Sequence, residues 1–360
     1  MTKFICPRRV GPDFRHDSLY PLCTPEVLFS LVMNLHMIFR TKDLPSPHGS
    51  IGRITVTTHG VYKLLDGINI KVHKATGPDG IPGHLLKELA SDLASIFTTL
   101  YQASSDWKMA FVMPIFKKGN RNTVENYRPV SLTSICCKLA EHNIHCNAMR
   151  HLEELRILTD SQHGFRKHCS CETQLILTID DLSRSLDNSE QVDAILLDFS
   201  KAFDKVPHRH LLYKLNYCGI RGARNQWIAS LLTGRMQSVV VEGQILHTIS
   251  VTSGVPQGSV LGPLLFLLYI NDLPECVSSQ STVRLFADDS FLYRKIRSTA
   301  DSIQLQHDLD QLAVWEQSWL MSFNPSKCQL LRITKKRSPI QHDYTLHGHV
   351  LEQVPTVIWA

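Results

Sequence analysis

The sequence predicts a mixed fold, α/β or α+β, on three observations. Helical and extended signals alternate along the chain, 43% of its 360 residues are hydrophobic, and no repeat of fixed period points to a solenoid. Aromatic content of 8%, with only 18 Gly and 17 Pro, excludes disordered, collagenous and fibrous classes.

Residues 1 to about 70 carry weak periodicity, and SPHGS at 46–50 reads as a loop or linker. Leu85, Leu89, Leu93, Phe97 and Leu100 recur at helical spacing and predict one helix over 84–100. The same rule predicts a helix through Leu175, Ile179, Leu182 and Leu186, and another through Leu305, Leu309, Leu312 and Trp319, both expected to pack on a sheet. Strands are predicted at 111–116, 194–197, 238–241, 283–287, 291–293 and 329–333, where β-branched, aromatic and other apolar residues cluster. The runs at 283–287 and 291–293 are close enough to form a hairpin.

No stretch reaches the roughly 20 apolar residues of a membrane helix. The richest, 260–270, contains Gly262 and Pro263. The N-terminus lacks the apolar core of a signal peptide, so an intracellular protein is expected. Ten cysteines are scattered without zinc-hairpin spacing and are expected to be free thiols. His142, His145 and His151 share a helical stretch but have no ligand partner at a metal-site spacing. A net charge of +5 permits a polyanionic partner without requiring one.

The chemistry concentrates in three places. Asp198 directly follows the apolar run AILL and is placed to project from the end of a buried strand. Asp288 and Asp289 sit side by side at the expected hairpin tip. Two neighbouring carboxylates repel, and a hard divalent ion with oxygen ligands, Mg²⁺ best of all, offsets that repulsion; the plain alternative is a solvated acidic turn. In SGVPQGSVLGPLLF at 253–266, Gly254, Gly258 and Gly262 let backbone approach a ligand, or simply open a core helix.

Together these blocks resemble the reverse transcriptases of non-LTR, LINE-type (jockey/CR1-like) retrotransposons. LLDFSKAFDKVPH at 196–208 is similar to polymerase motif A, 253–266 to motif B, FADD at 286–289 to motif C, and WLMSFNPSKCQLL at 319–331 to motif D. Upstream, KATGPDGIPGHLLKE, the segment running through PIFKKG and NYRP, and QHGFRKHCSCETQL resemble the fingers-side blocks. The resemblance runs from about residue 60 to 350.

The resemblance implies an α+β right-hand polymerase core: a linker remnant at 1–60, fingers-side residues at 61–190, a palm at 191–350 with an antiparallel sheet backed by helices, and a truncated end at 351–360 without primer grip or thumb. In departure from the family pattern, no endonuclease domain is recognisable upstream, and target nicking in cis is not expected. The implied activity is RNA-directed DNA synthesis from dNTPs by two-metal nucleotidyl transfer, with two Mg²⁺ ions held by Asp198 and Asp288 and the acidic site completed by Asp289. Lys117 or Lys118, with Arg128, would meet the triphosphate. Phe203 would exclude a ribose 2′-hydroxyl, Gln257 and Gly258 would lie against templating base and nucleotide, and Lys327 would act as general acid. Arg166 would contact template or nucleotide.

The implied partners are an RNA template, a DNA primer end and dNTPs, with no membrane. The nucleus and the cytoplasm both remain open, since the LysLysArg at 335–337 is too short for a nuclear signal. The rival readings are a nucleic-acid-binding remnant that is weak or inactive in catalysis, and, among enzymes, an RNA-dependent RNA polymerase or a group II intron maturase. Phe203 argues against the RNA polymerase, and the wording of motif A against the maturase.

Overall fold

A computed structural model describes residues 47–52, 56–68, 76–103 and 108–354. Most of the expected 1–60 linker, and the last six residues of the expected truncated end, lie outside the described residues.

Helix α1 (Thr58–Asp66) starts where Thr57 accepts from the Gly60 N–H at 3.1 Å, satisfying an otherwise free donor of the first turn. Next come α2 (Gly83–Glu88) and α3 (Ala90–Ala103). The single helix expected over 84–100 is therefore interrupted at Leu89. Of the apolar series that signalled it, Phe97 is buried and Leu93 packs against the core, whereas Leu85, Leu89 and Leu100 are exposed and Leu86, Ala90 and Ala94 face the core in their place. Both series follow helical spacing. The alanine-bearing face wins because it lets α1 pack closely through Val61 and Leu65.

Strands β1 (Met109–Phe116) and β2 (Tyr127–Leu132) form an antiparallel pair running from Phe111↔Leu132 to Phe116↔Tyr127. Helix α4 (Ile135–Glu154) follows, capped by Ser134. Helix α5 (Cys171–Asp187) begins with a reciprocal Ser170–Thr173 capping box.

The expectation that the apolar stripe of α5 packs on a sheet is met only in part. Leu182 packs on Val192, Ala194 and Tyr293, whereas Leu175 and Ile179 are exposed. Polar contacts do the docking: Asp181 accepts from Arg284 Nη2 at 2.7 Å and from the Tyr293 hydroxyl at 2.5 Å.

Strand β3 (Gln191–Asp198) leads through α6 (Ala202–Lys205), α7 (His208–Tyr217) and α8 (Ala223–Leu232) to β4 (Met236–Val241). Strand β4 pairs in parallel with β1, from Met109↔Met236 to Val112↔Val239, and carries the short β5 (Gln244–Ile245) and β6 (Ile249–Ser250). A first sheet of order β2-β1-β4-β5, with β6 on β4, thus joins two segments far apart in sequence.

Helix α9 (Leu261–Tyr269) is followed by β7 (Thr282–Phe286), β8 (Asp289–Ile296), α10 (Thr299–Trp319) and β9 (Gln329–Ile333). The short β10 (Thr345–Leu346), β11 (His349–Val350) and β12 (Glu352–Val354) complete the described chain. The second sheet has order β12-β9-β3-β8-β7 and is antiparallel except for β12 at its edge.

Alternation on β3 sends Ile195 and Leu197 into the main core, where α7 contributes Leu211 and Leu215, α9 Leu264 and Leu265, and α10 Leu305, Leu309 and Leu312. Each fully buried leucine contributes roughly 2 kcal/mol. The opposite face of the strand carries Leu196 and Asp198. Among the described residues the cysteines are free thiols, and no helix is long and apolar enough to cross a membrane.

Candidate active site

The β7–β8 connection is two residues long, Ala287 and Asp288, with Phe286↔Asp289 as the closing pair. Ala287 takes φ 55°, the left-handed conformation a tight two-residue turn demands. The expected hairpin is therefore present, with both acidic residues at its tip. The register of β3 against β8 sets Asp198 directly opposite Asp289. Residues so paired project to the same face with Cβ atoms about 5 Å apart. Two carboxylates from facing strands and a third from the adjoining turn thus lie at one end of the sheet.

Their electrostatics are strained. Burial, then the neighbouring Asp288 and Asp198 carboxylates, push Asp289 above the ordinary carboxylate value, while Arg128 from β2 pulls it back. Lys327 Nζ lies 3.3 Å from Asp198 Oδ1, on a turn fixed to the strand end by the Asn324 N–H donating to the Asp198 carbonyl at 2.8 Å. Among the described residues no group of three or more His, Cys, Asp or Glu side chains is gathered tightly enough to hold a metal ion alone. The donor set nevertheless fits a divalent ion: oxygen ligands, like charges in need of a cation, and a lysine ammonium already drawn to one of them.

The motif-B loop lies against motif A so closely that side chains are excluded. A Cβ on Gly254 (φ 87°) would stand 2.7 Å from the Asp204 carbonyl oxygen, and one on Gly258 (φ 100°) 2.7 Å from the Ser131 carbonyl oxygen. Gln257 donates from Nε2 to Asp204 Oδ1 at 3.1 Å, and its carbonyl accepts from the Ser131 N–H at 2.7 Å. Asp204, with its carboxyl pushed up by burial, also feels the charges of Lys201 and Lys117. Phe203 stacks on Phe266 at 4.5 Å and meets Phe165 edge-on at 6.5 Å.

Arg166 is turned onto its own loop, donating to the Thr159 carbonyl at 2.7 Å and pairing with Asp160 at 3.6 Å. The structure thus brings Asp198, Asp288, Asp289, Lys327 and Arg128 together, and sets Phe203, Gln257 and Gly258 beside Asp204.

Sequence reading passed over two supporting carboxylates. Asp204 lies inside motif A and holds Gln257. Glu141 is buried on α4 and accepts from the Val260 and Leu261 N–H groups at 2.7 and 3.0 Å, fixing the start of α9. Nothing near Glu141 in the sequence signals a partner 120 residues away. In the histidine stretch, His151 Nε2 lies 3.0 Å from the Cys218 carbonyl, and His142 Nδ1 3.2 Å from Cys146 Sγ.

Residues 115–349 match the family described as reverse transcriptase (RNA-dependent DNA polymerase). This chain belongs to that family. The second sheet is then the palm, backed by helices as expected, and the resemblance to non-LTR retrotransposon enzymes holds. The chain is 30% identical over 317 residues to the probable RNA-directed DNA polymerase from transposon BS of Drosophila melanogaster, covering 81% of this chain and 34% of that protein. It is 30% identical over 284 residues to the probable RNA-directed DNA polymerase from transposon X-element of the same fly, covering 74% and 30%. With the RNA-directed DNA polymerase from mobile element jockey, also of that fly, identity is 28% over 288 residues, covering 76% and 31%. The chain spans about a third of the length of these relatives.

Proposed function

We propose that this chain performs RNA-templated DNA synthesis from dNTPs, acting inside the cell on an RNA template and a DNA primer end. The observation that carries this reading is the register that sets Asp198 opposite Asp289, with Asp288 adjacent, at the open end of the palm sheet. Residues 61–190 act as the fingers side and 191–350 as the palm, with β4 to β6 of the latter completing the first sheet.

Asp198, Asp288 and Asp289 would hold two Mg²⁺ ions, which supply charge stabilisation for the attacking and leaving oxygens. The protein's own groups do the rest. Arg128, with its planar fork, and Lys117 bind triphosphate oxygens. Lys117 is preferred to Lys118 because its charge reaches Asp204 beside Gln257. Phe203, held against Phe266, crowds the position of a ribose 2′-hydroxyl. Gln257 and Gly258 form the surface against which base and nucleotide lie. Lys327 stands where a proton can be given to the departing pyrophosphate. Arg166 supports template contact by ordering the 159–166 loop that carries Phe165. Because phosphates dominate the contact, binding weakens steeply with salt.

Primer extension tests the reading: the chain, a poly(rA) template, an oligo(dT) primer, dTTP and Mg²⁺, beside an Asp288→Asn/Asp289→Asn variant. Extension by the parent and none by the variant is the expected result. RNA binding without extension by either overturns it in favour of a non-catalytic binding remnant.

A further inference from the structure

We propose that Gln162 is a positioning residue for the catalytic carboxylates: its side-chain amide clamps the backbone of Ala287 and so fixes the direction in which Asp288 and Asp289 leave the hairpin. This rests on the polymerase reading of the acidic site.

Gln162 is buried at 2% exposure, and its amide is spent on backbone groups. Oε1 accepts from the Ala287 N–H at 2.9 Å and from the Gly164 N–H at 2.7 Å, while Nε2 donates to the Ala287 carbonyl at 3.2 Å. Both polar backbone groups of one residue are therefore held by one side chain. That residue is the one that needs holding. Ala287 sits in the left-handed region at φ 55°, where a side chain costs roughly 1–2 kcal/mol relative to right-handed backbone. Neighbouring structure must over-determine such a conformation for it to persist.

The surroundings reinforce the clamp. The Leu285 N–H donates to the Ser161 carbonyl at 2.8 Å and the His163 N–H to the Leu285 carbonyl at 3.0 Å, so Gln162 is joined to Leu285 of β7 by a single parallel bridge. At Gly164 the backbone presses directly on the hairpin tip: a Cβ there would stand 2.3 Å from the Ala287 nitrogen and 2.9 Å from its Cα. Cross-strand pairing with β3 places the Asp289 end of the hairpin; Gln162 and Gly164 place its other end. Asp288, in the turn with no ladder partner of its own, depends on them most.

The rival is a glutamine that merely satisfies buried backbone groups and adds stability. Metal affinity separates the two, because supporting groups that orient metal ligands typically change affinity by about 10–100-fold when lost. The test titrates Mn²⁺ alone into the full-length chain, following the free-ion signal by electron paramagnetic resonance, for the parent, Gln162→Met, Gly164→Ala and Asp288→Asn/Asp289→Asn, with circular dichroism melts of each.

The expected result is Mn²⁺ binding by the parent, its loss in the double aspartate variant, and binding about tenfold weaker in Gln162→Met while that variant is fully folded. Primer extension should then show a lower kcat with an unchanged KM for dTTP. Parent-like Mn²⁺ affinity in folded Gln162→Met overturns the proposal and leaves the polymerase reading intact. Parent binding that ignores the double aspartate substitution overturns the reading of the acidic site, and this inference with it. Should Gln162→Met fail to fold, Gly164→Ala decides: it keeps the amide but displaces Ala287, so weakened Mn²⁺ binding supports the clamp and parent-like binding refutes it.

Discussion

Asp193 and Asp198 lie on the same strand, β3, and face opposite sides of the same sheet. Asp193 is fully buried and fully answered: Arg332 meets it at 3.2 Å through Nε and 3.4 Å through Nη2, the Tyr344 hydroxyl donates at 2.9 Å, and Gln191 Nε2 at 2.9 Å. Asp198 is part-exposed. It faces another carboxylate, Asp289, and its cation is the ammonium of an exposed lysine at 3.3 Å. A buried charge with every lone pair engaged ties the strand to the C-terminal segment. A charge left under-neutralised at a sheet end is available to a ligand.

The largest effect expected from that contrast is on catalysis. Asp289→Asn should lower primer extension by about a thousandfold or more, because charge stabilisation of the reacting oxygens is lost. Its melting temperature should stay level or rise: the folded protein resists the Asp289 charge, so a neutral isostere removes a penalty. Asp193→Ala should do the reverse. Leaving Arg332 buried without its carboxylate should cost about 3–5 kcal/mol of stability, read by urea unfolding.

Lys327→Met sharpens the comparison further. Its ion pair is exposed and worth at most about 1 kcal/mol, so unfolding should barely change. Extension should nevertheless fall about a hundredfold if the lysine serves as general acid. Phe203→Val should leave dTTP use largely intact and admit UTP, checked by competition between the two nucleotides; no gain of ribonucleotide use would refute the gate.

The smallest effect concerns a second lysine, Lys214, buried 2.5 Å from Asp272 and over the Trp319 ring. Burial drives its pKa down from 10.5 to about 8. Between those values the unfolded chain holds more protons than the folded one, so this lysine contributes stability that rises with pH through that window. Denaturant unfolding should show the parent gaining on Lys214→Met from pH 8 to 10, and an opposite trend would refute the assignment.

Much of the palm was legible because its strands carry their own signals. The apolar run before Asp198, the two runs around Asp288 and the stretch at 329–333 each became a strand, and the leucines of α10 all reached the core. The fingers side was less so. The series Leu86, Ala90, Ala94 and Phe97 obeys the same period as the leucine series beside it, and periodicity alone cannot say which face a neighbouring helix will choose. Helix α5 docks through Asp181, Arg284 and Tyr293 while Leu175, Ile176, Leu177 and Ile179 stay exposed, an arrangement decided by partners over 100 residues away. Strand β4 finds β1 across a similar distance.

At the site, Asp198, Asp288, Asp289 and Lys327 were named through the resemblance of their blocks to motifs A, C and D. Gln162, Asp204 and Glu141 could not be, because each works on backbone or side chains that only the folded chain brings near.

The most direct measurement is primer extension normalised to folded protein, comparing the parent with Asp198→Asn and Asp193→Asn at a temperature where circular dichroism shows all three folded. The account predicts that Asp198→Asn loses extension with an unchanged melt, while Asp193→Asn melts early yet extends like the parent per folded molecule. Extension by Asp198→Asn at the parent's rate would contradict it.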